Sequence, residues 1–464
     1  MFPRQTYINR REKLLTLIPE GGIILLPANG ESSKNYLDNH YEFTQDSTFL
    51  YYFGLDKADV VGYLDLDSGE EIIFGDEHSL SDIIWMGKTP TISELAHKVG
   101  INKTLAKDKL QAYITRAKSA SRRIHFLTVY RPEIKLLLSS LLDANPLNIN
   151  DLASVELALA VVSMRERKSS QEIEQLELAS QIGYLMQTKA MSMCKVGVKE
   201  KDIAVEIEAI ANKLGKGVSF PSIVTHNGQT LHNHDYSNAL KDSRLCLVDC
   251  GALSFENYAS DLTRTFPVNG KFSEQQKDIY NIVLRASNLA FEISCPDKLY
   301  QDIHLEVAAQ ISQDLIDLGL IKASKEDAVS EGIFSLFMPH GLGHMMGMDV
   351  HDMENIGENF VGYDKYTQRS KALGVSSLRL GRRLKPGFVM TVEPGLYFIP
   401  DLIASWKANS QDKGMVNYAE LEKYLDFGGI RLEDDMLITE DKNRMIGQKR
   451  APSSVEEIEN YMKN

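Results

Sequence analysis

Several features that mark membrane, secreted or nucleic-acid-binding proteins are missing from this sequence of 464 residues. It has only four cysteines, Cys194, Cys246, Cys250 and Cys295, with no Cys-x-x-Cys pair, which predicts reduced thiols rather than a disulfide framework. No apolar run approaches the roughly 20 residues of a membrane span. The N-terminus also lacks the apolar segment and cleavage site of a signal peptide. We therefore expect a cytoplasmic protein without a membrane partner.

The charge balance excludes another class of partner. The net charge is −13, whereas neutralising nucleic-acid phosphates needs a basic surface. Hydrophobic residues make up 43% and charged residues 25% of the chain, as in ordinary soluble globular proteins. The length predicts two or three domains rather than one.

The chain is organised in two parts. The first 160 residues alternate strand-like segments ("GGIILLPA", "VVGYLDLD") with helix-like ones ("EIKLLLSSLLDA"), an α/β pattern. A polar joint, "RERKSS", precedes an amphipathic helix capped near Ser170, and Ser273 with Gln276 forms a capping box for a later helix. Strands are predicted in "GFVMTVEPGLYFI" and "GGIRLEDDMLI". We place the domain boundary at this joint, giving domains 1–164 and 165–464.

The stretch "HGLGHMMGMDVHD", residues 340–352, contains three histidines. His340 and His344 have the i, i+4 spacing of a helical zinc pair, but Gly341 and Gly343 lie between them and each costs about 1 kcal/mol in a helix interior. We therefore predict a loop or strand edge where the backbone approaches another group closely. The alternative is a glycine-rich turn with unrelated core histidines.

Two aspartates lie in a predicted hairpin, "RLCLVDCGALSFENYASDLTRTFPV". If the tip is centred on Phe255, Asp249 and Asp261 face each other directly, about 4.5–5.5 Å apart at Cβ, where like charges are destabilising. A shared divalent cation would explain the arrangement. The alternative places one or both carboxylates at frayed strand ends in solvent.

Two further carboxylates lie within apolar strands. Glu393 occurs in "TVEPG" and Glu433 in "RLEDD", where Arg431 shares its face by the period of two. A solvated strand end is the alternative for this acidic run. Four carboxylates with the imidazole of His344 suit an oxygen-rich site for two metals, and manganese or cobalt fits better than a structural zinc.

In chain order, "VDCG", "SDLTRTF", "HGLGHMMGMDVHD", "TVEPG" and "GGIRLEDD" resemble the five metal-ligand motifs of the creatinase/aminopeptidase family. The N-terminal "RREKLL…FTQDSTFLYYFG" resembles the first domain of its proline-specific branch, which comprises aminopeptidase P and prolidase. The resemblance implies an α/β (α+β) fold, with a creatinase-like N-terminal domain followed by a C-terminal catalytic domain of the "pita-bread" type. It also implies a homo-oligomer, a dimer or tetramer.

The resemblance also implies a set of metal ligands. Asp249 corresponds to the ligand of one metal, and Asp261 and Glu433 correspond to carboxylates that bridge both metals. His344 and Glu393 correspond to the remaining ligands of the second metal. The implied cofactors are two divalent cations, Mn²⁺ in the first place, with Co²⁺ or Zn²⁺ as alternatives.

Other positions are similar to the family's catalytic groups. His340 resembles a residue that orients the site, His351 a residue that stabilises the tetrahedral intermediate, and Arg431 the arginine beside the metals. His232 resembles the histidine near the leaving proline, and Glu393 is expected to carry the proton to the proline nitrogen. The segment "SFPSIVTHNGQTLHNH" departs from the family pattern: it is short, and it carries extra histidines at 226 and 234 with Phe220 where a tyrosine is common.

The implied activity is hydrolysis of the N-terminal Xaa–Pro bond of peptides, as in an aminopeptidase P. A prolidase acting on dipeptides is the main alternative, because Arg379 stands where prolidases keep an arginine for the dipeptide carboxylate. A non-catalytic peptide-binding relative is a remote alternative, since such relatives have lost metal ligands. A methionine aminopeptidase would not need the N-terminal domain, and creatinase does not need the metal pair.

Overall fold

The N-terminal part of the chain alternates helices and strands. The protein is described by a computed structural model for residues 1–463, and the chain forms two compact units. The first, here the N-terminal unit, comprises Met1–Arg165 together with Met353–Phe360. Its helices are α1 (Arg4–Leu17), α2 (Ser47–Phe53), α3 (Leu80–Met86), α4 (Ile92–Lys98), α5 (Leu110–Ser119), α6 (Pro132–Leu142) and α7 (Val155–Arg165). Its strands are β1 (Ile23–Pro27), β2 (Val61–Asp65), β3 (Glu71–Phe74), β4 (Thr104–Leu105) and β5 (Ile124–His125).

These strands form one mixed sheet in the order β4-β3-β2-β1-β5. The three central strands pair antiparallel, and the two edge strands add in parallel. Alternate residues of the central strands, among them Ile23, Leu25 and Tyr63, point into one buried core with Leu138 of α6. The strands predicted in "GGIILLPA" and "VVGYLDLD" are confirmed as β1 and β2, and the helix in "EIKLLLSSLLDA" as α6.

The second unit, here the C-terminal unit, comprises Glu166–Asp352 and Val361–Asn464. Its helices are α8 (Ser170–Met193), α9 (Glu200–Leu214), α10 (Glu274–Ile293), α11 (Tyr300–Asp317) and α12 (Lys325–Ser330), followed by α14 (Pro400–Asn409), α15 (Tyr418–Leu421) and α16 (Val455–Met462). A further helix, α13 (Glu354–Gly362), extends across the last residues assigned to the N-terminal unit. The strands are β6 (Ile223–Thr225), β7 (Leu245–Cys250), β8 (Leu262–Pro267), β9 (Val389–Val392), β10 (Gly395–Tyr397), β11 (Gly429–Arg431), β12 (Asp434–Ile438) and β13 (Asn443–Met445).

The strands of the C-terminal unit form small antiparallel ladders, β6-β7-β8, β13-β12-β9 and β10-β11. A single bridge between Thr263 and Glu433 links β8 to the segment between β11 and β12, and another links Met345 to Met390 of β9. These two bridges bring together the hairpin, the glycine-rich segment and the two segments that carry Glu393 and Glu433.

The helix caps follow the prediction with one shift. Ser273 and Gln276 form the predicted capping box at the start of α10. At α8 the cap is Ser169 rather than Ser170, because a box requires an acidic or amide side chain three residues after the serine. Glu172 lies three residues after Ser169 and accepts its backbone N–H at 3.0 Å.

The predicted state of the thiols is confirmed, since all four cysteines are free. Within residues 1–463, none of the helices combines the length and the apolar character that crossing a bilayer requires.

Replacing the N-cap of α10 should lower stability measurably. In Ser273→Ala, the N–H of Gln276 loses its acceptor, and we expect a decrease of about 1 kcal/mol in the free energy of unfolding, measured by urea denaturation. The control is Ser192→Ala, because that hydroxyl only donates to the carbonyl of Lys189 on an exposed helix surface. Equal midpoints for both variants would contradict the capping role.

Candidate metal centre

One cavity of about 540 Å³ in the C-terminal unit collects the side chains singled out in the sequence. All ten candidate residues line it: His232, Asp249, Asp261, His340, His344, His351, Arg379, Glu393, Arg431 and Glu433. They come from the segment between β6 and β7, the hairpin, the glycine-rich segment, the loop before β9 and the stretch from the end of β9 to the start of β12. The structure therefore brings together residues that are separated by up to about 200 positions in the chain.

The glycine-rich segment forms a loop beside a strand, which confirms the prediction that it is not a helix. Residues 338–351 are not helical, and Gly343 lies against β9 so closely that a Cβ there would approach the carbonyl oxygen of Thr391 to 2.0 Å. The backbone N–H of His344 donates to the hydroxyl of Thr391 at 3.1 Å, and the N–H of Thr391 donates back to the carbonyl of His344 at 3.0 Å. Close approach to a strand is thus the reason for the glycine, and it fixes the His344 imidazole at the cavity.

The hairpin register differs from the prediction. Asp249 pairs with Thr263 rather than facing Asp261, because the turn is centred on Glu256 and not on Phe255. The turn closes through the N–H of Ser254, which donates to the carbonyl of Tyr258 at 2.8 Å. Since the shift is two residues, both aspartates remain on the same face as diagonal neighbours. The prediction of direct opposition was wrong, but that of a shared face was right.

Three of the candidate metal ligands converge in the cavity. Asp261, His344 and Glu433 each present a ligand atom, and these atoms all lie within 4.8 Å of one another. The His344 Nε2 atom is 3.5 Å from Asp261 Oδ2 and 3.8 Å from Glu393 Oε1. Mixed carboxylate and imidazole ligands of this kind suit divalent transition metals.

The acidic run after Arg431 is not a solvated strand end. Glu433, Asp434 and Asp435 are exposed by only 2%, 1% and 1%. Asp435 accepts the backbone N–H of Asp261 at 3.2 Å, which connects β12 to the hairpin. The burial of these carboxylates requires positive charge to compensate them.

The protein supplies only part of that compensation. Burial and the neighbouring carboxylates, Asp249 first, raise the pKa of Asp261 well above its ordinary value, and burial with Asp261 nearby does the same for Glu433. Burial also raises the pKa of Glu393. Two buried carboxylate atoms, Asp249 Oδ1 and Asp261 Oδ1, accept no hydrogen bond from the described residues. Free acceptor oxygens beside mutually repelling carboxylates fit a site for divalent cations.

Arg431 is the guanidinium that contacts Asp249 and reaches Glu433 through Thr263, whereas Arg264 pairs with Asp434. Arg431 Nη2 donates to Asp249 Oδ2 at 2.6 Å, and its Nε donates to the hydroxyl of Thr263 at 3.2 Å. That hydroxyl donates in turn to Glu433 Oε2 at 2.7 Å. Arg431 therefore orients one oxygen of two different carboxylates and leaves Asp249 Oδ1 free for another ligand.

A second branch of this network reaches His340. Arg431 Nη1 donates to the Tyr397 hydroxyl at 2.9 Å, and that hydroxyl lies 3.0 Å from His340 Nε2. Burial and the charge of Arg431 lower the pKa of His340 to about 3, so the ring is neutral. His340 Nδ1 lies 2.8 Å from the carbonyl of Gly341, which can only accept. The proton is therefore on Nδ1, and Nε2 accepts from Tyr397.

The histidines outside the candidate ligand set differ in their surroundings. The His351 ring lies against that of His344, with centroids 4.0 Å apart. His232 and His234 both line the cavity, whereas His226 is buried outside it, with its Nδ1 3.1 Å from Glu200 Oε1. Of the two extra histidines, only His234 is thus in a position to meet a ligand.

Thr263 and Tyr397 are among the residues that contact the predicted site residues and were not singled out in the sequence. Thr263 follows Asp261 by two positions, so the strand period alone places it on the same face. Tyr397 is the last residue of β10, and the sequence gives no sign that its hydroxyl connects Arg431 with His340.

Comparison with known proteins supports a single family. The model of metallopeptidase family M24 matches residues 174–440, and that of the aminopeptidase P N-terminal domain matches residues 7–125. Human Xaa-Pro dipeptidase is 28% identical over 455 residues, covering 96% of this chain and 89% of the relative. Xaa-Pro aminopeptidase of Escherichia coli strain K12 is 28% identical over 453 residues, covering 95% and 93%.

Solved structures agree with this assignment. A variant of Escherichia coli aminopeptidase P in complex with substrate superimposes with a TM-score of 0.82 at 28% identity, covering 100% of this chain and 98% of the other. A zinc-substituted form of the same enzyme in complex with product gives a TM-score of 0.81 at 28% identity with the same coverage. Since the family match spans more than half of the 464 residues, the chain belongs to metallopeptidase family M24 and is a peptidase that carries an aminopeptidase P-type N-terminal domain.

Proposed function

We propose that this peptidase is a Xaa-Pro aminopeptidase, which hydrolyses the bond between the first residue of a peptide and a following proline. The observation that carries the proposal is the cavity that holds four carboxylates, the His344 imidazole and four further histidines. Relatives named Xaa-Pro aminopeptidase and Xaa-Pro dipeptidase align over nearly the whole chain at similar identity.

The ligand set proposed for two divalent cations is Asp249, Asp261, His344, Glu393 and Glu433. Asp261 and Glu433 are the candidates for bridging both ions, because they lie in the compact cluster with His344. The oxygen-rich set favours Mn²⁺, with Co²⁺ or Zn²⁺ as alternatives. When bound, such ions would supply Lewis acidity toward the scissile carbonyl and a water of lowered pKa.

The protein side chains would perform the remaining steps. His351 would donate a hydrogen bond to the oxyanion that develops on the scissile carbonyl. Glu393 would accept a proton from the attacking water and deliver it to the proline nitrogen as the bond breaks. Arg431 and His340 would orient the carboxylates around them, and His232 would contact the prolyl residue.

The alternative that a specific observation favours is an Xaa-Pro dipeptidase. Arg379 lines the cavity, and its charge opposes the rise that burial causes in the pKa of Glu393, so it lies near the reacting groups. An arginine there could bind the C-terminal carboxylate of a dipeptide. Assaying an Xaa-Pro dipeptide and an Xaa-Pro-Yaa tripeptide side by side with added Mn²⁺ separates the two functions.

We further propose that residues 1–164 form the aminopeptidase P-type domain and residues 165–464 the catalytic domain. The units of the structure and the extents of the two family matches support this division. A cytoplasmic homo-oligomer, a dimer or tetramer, remains our proposal for the working form of the protein.

Removing the metals, or one of their bridging ligands, should abolish hydrolysis. We expect chelation to stop cleavage of Xaa-Pro peptides and added Mn²⁺ to restore it. Asp261→Asn should lower kcat/KM by more than about a hundredfold, since even changes behind a metal ligand cost 10- to 100-fold. The metal-free variant should melt no lower than the metal-free wild type, because it loses one of several repelling charges.

The matched control is Asp242→Asn, since this exposed carboxylate accepts from Asn269 on the surface. It should keep full activity and its response to Mn²⁺. Chelator-resistant turnover in the wild type, or near-normal turnover in Asp261→Asn, would contradict the proposed metal site.

Replacing Arg379 should reveal the preferred peptide length. If Arg379 binds a dipeptide carboxylate, its charged hydrogen bonds contribute about 1.5–3 kcal/mol. Arg379→Ala should then lower dipeptide kcat/KM by roughly ten- to a hundredfold and change tripeptide cleavage much less. Arg383→Ala serves as control, because Arg383 donates to the carbonyl of Asp297 on the surface. Equal losses on both substrates would contradict a role in selecting peptide length.

A further inference from the structure

A buried ion pair fixes the segment that carries His351. Lys168 Nζ donates to Asp352 Oδ2 at 2.9 Å, and both side chains are only 1% exposed. Asp352 directly follows His351, whereas Lys168 lies in the polar joint before α8. A lysine buried to this degree is rare unless it is paired, and holding it there requires a compensating charge.

Asp352 closes the loop of residues 345–352 upon itself. Its backbone N–H donates to the carbonyl of Met345 at 2.9 Å, and its Oδ1 accepts the N–H of Asp349 at 3.4 Å. Gly347 packs against the same carboxylate so tightly that a Cβ there would lie 2.2 Å from Asp352 Oδ2. The N–H of Met346 donates to the carbonyl of Val389 at 2.9 Å, and the carbonyl of Gly347 accepts from the N–H of Ala259 at 2.8 Å, so neighbouring segments hold the start of the loop. The contacts of Asp352 and the ion pair hold its end, where His351 lies.

Lys168 is itself firmly anchored. Its backbone N–H donates to the carbonyl of Gly387 at 2.7 Å. Two residues earlier, the buried Glu166 pairs with the buried side chain of Arg382. The ammonium group thus extends from a fixed backbone to the carboxylate that closes the loop.

His344 does not depend on this closure. It precedes the closed loop and is held by its hydrogen bonds with Thr391 of β9. His351, in contrast, lies between Val350 and Asp352 inside the loop. The ion pair should therefore affect the placement of His351 against the His344 ring and leave the candidate metal ligands in place.

From this geometry we infer that Lys168 is a positioning residue: through Asp352, it holds His351 where that histidine can stabilise the transition state. The kinetic part of this inference rests on the proposed function. Because misplacing a catalytic group by about 1 Å can cost roughly a hundredfold in rate, losing the pair should lower kcat much more than it changes KM.

The test uses Lys168→Met, Asp352→Asn and the double variant, with Lys385→Met as control. The single variants remove one charge of a buried pair and can fail to fold, whereas the double variant removes both charges and keeps an acceptor at position 352. Lys385→Met removes a lysine from Glu166 without touching the loop. Hydrogen exchange of residues 345–352 in the metal-free protein, bound metal and steady-state kinetics are measured for each.

For the folded double variant we expect faster exchange in residues 345–352, wild-type metal content, and kcat reduced roughly ten- to a hundredfold at nearly constant KM. Lys385→Met should match the wild type in all three. Unchanged exchange and kcat in the double variant would overturn the inference, as would equal losses in Lys385→Met. If the wild type itself fails to cleave Xaa-Pro peptides, the proposed function is refuted, while the exchange data still decide whether the pair holds the loop.

Discussion

The mutual repulsion of buried carboxylates is the constraint around which the C-terminal unit is organised. Asp249, Asp261, Glu393 and Glu433 meet in one cavity, and Asp435 lies directly behind them. Concentrating so much negative charge away from water is unfavourable unless cations compensate it. The raised pKa values of Asp261 and Glu433 show that the protein alone leaves this compensation incomplete.

Residues around the cavity compensate part of this negative charge and orient the carboxylates. Arg431 donates a hydrogen bond to one oxygen of Asp249 and, through Thr263, orients Glu433. It also fixes Tyr397 and thereby the neutral tautomer of His340. One guanidinium thus sets the direction of several lone pairs and leaves carboxylate oxygens free on the cavity side. A layer of this kind around a metal site usually matters almost as much for affinity as the ligands themselves.

Much of the candidate site could be predicted because its residues contradict their local sequence context. Aspartate and glutamate in apolar strands, and glycines between histidines, are costly without a reason, and the structure places all of these residues at one cavity. The sequence did not predict the details of the site that depend on tertiary geometry. The hairpin register was wrong by two residues because the turn centre is fixed by hydrogen bonds between Ser254 and Tyr258.

The contacts of Tyr397 and Lys168 were not predictable either, since each joins segments far apart in the chain. The local patterns of β1, β2, α6 and the α10 capping box were strong enough to predict those elements correctly. Long-range polar partners leave no such periodic signal, and only the folded arrangement identifies them.

We propose that the buried carboxylates bind two divalent cations. A crystal structure grown with Mn²⁺ and measured at a wavelength where manganese scatters anomalously tests this directly. We expect two anomalous peaks in the cavity, both contacted by Asp261 and Glu433, with Asp249 at one and His344 with Glu393 at the other. A cavity without anomalous peaks at saturating Mn²⁺, or peaks confined to other carboxylates on the surface, would contradict it.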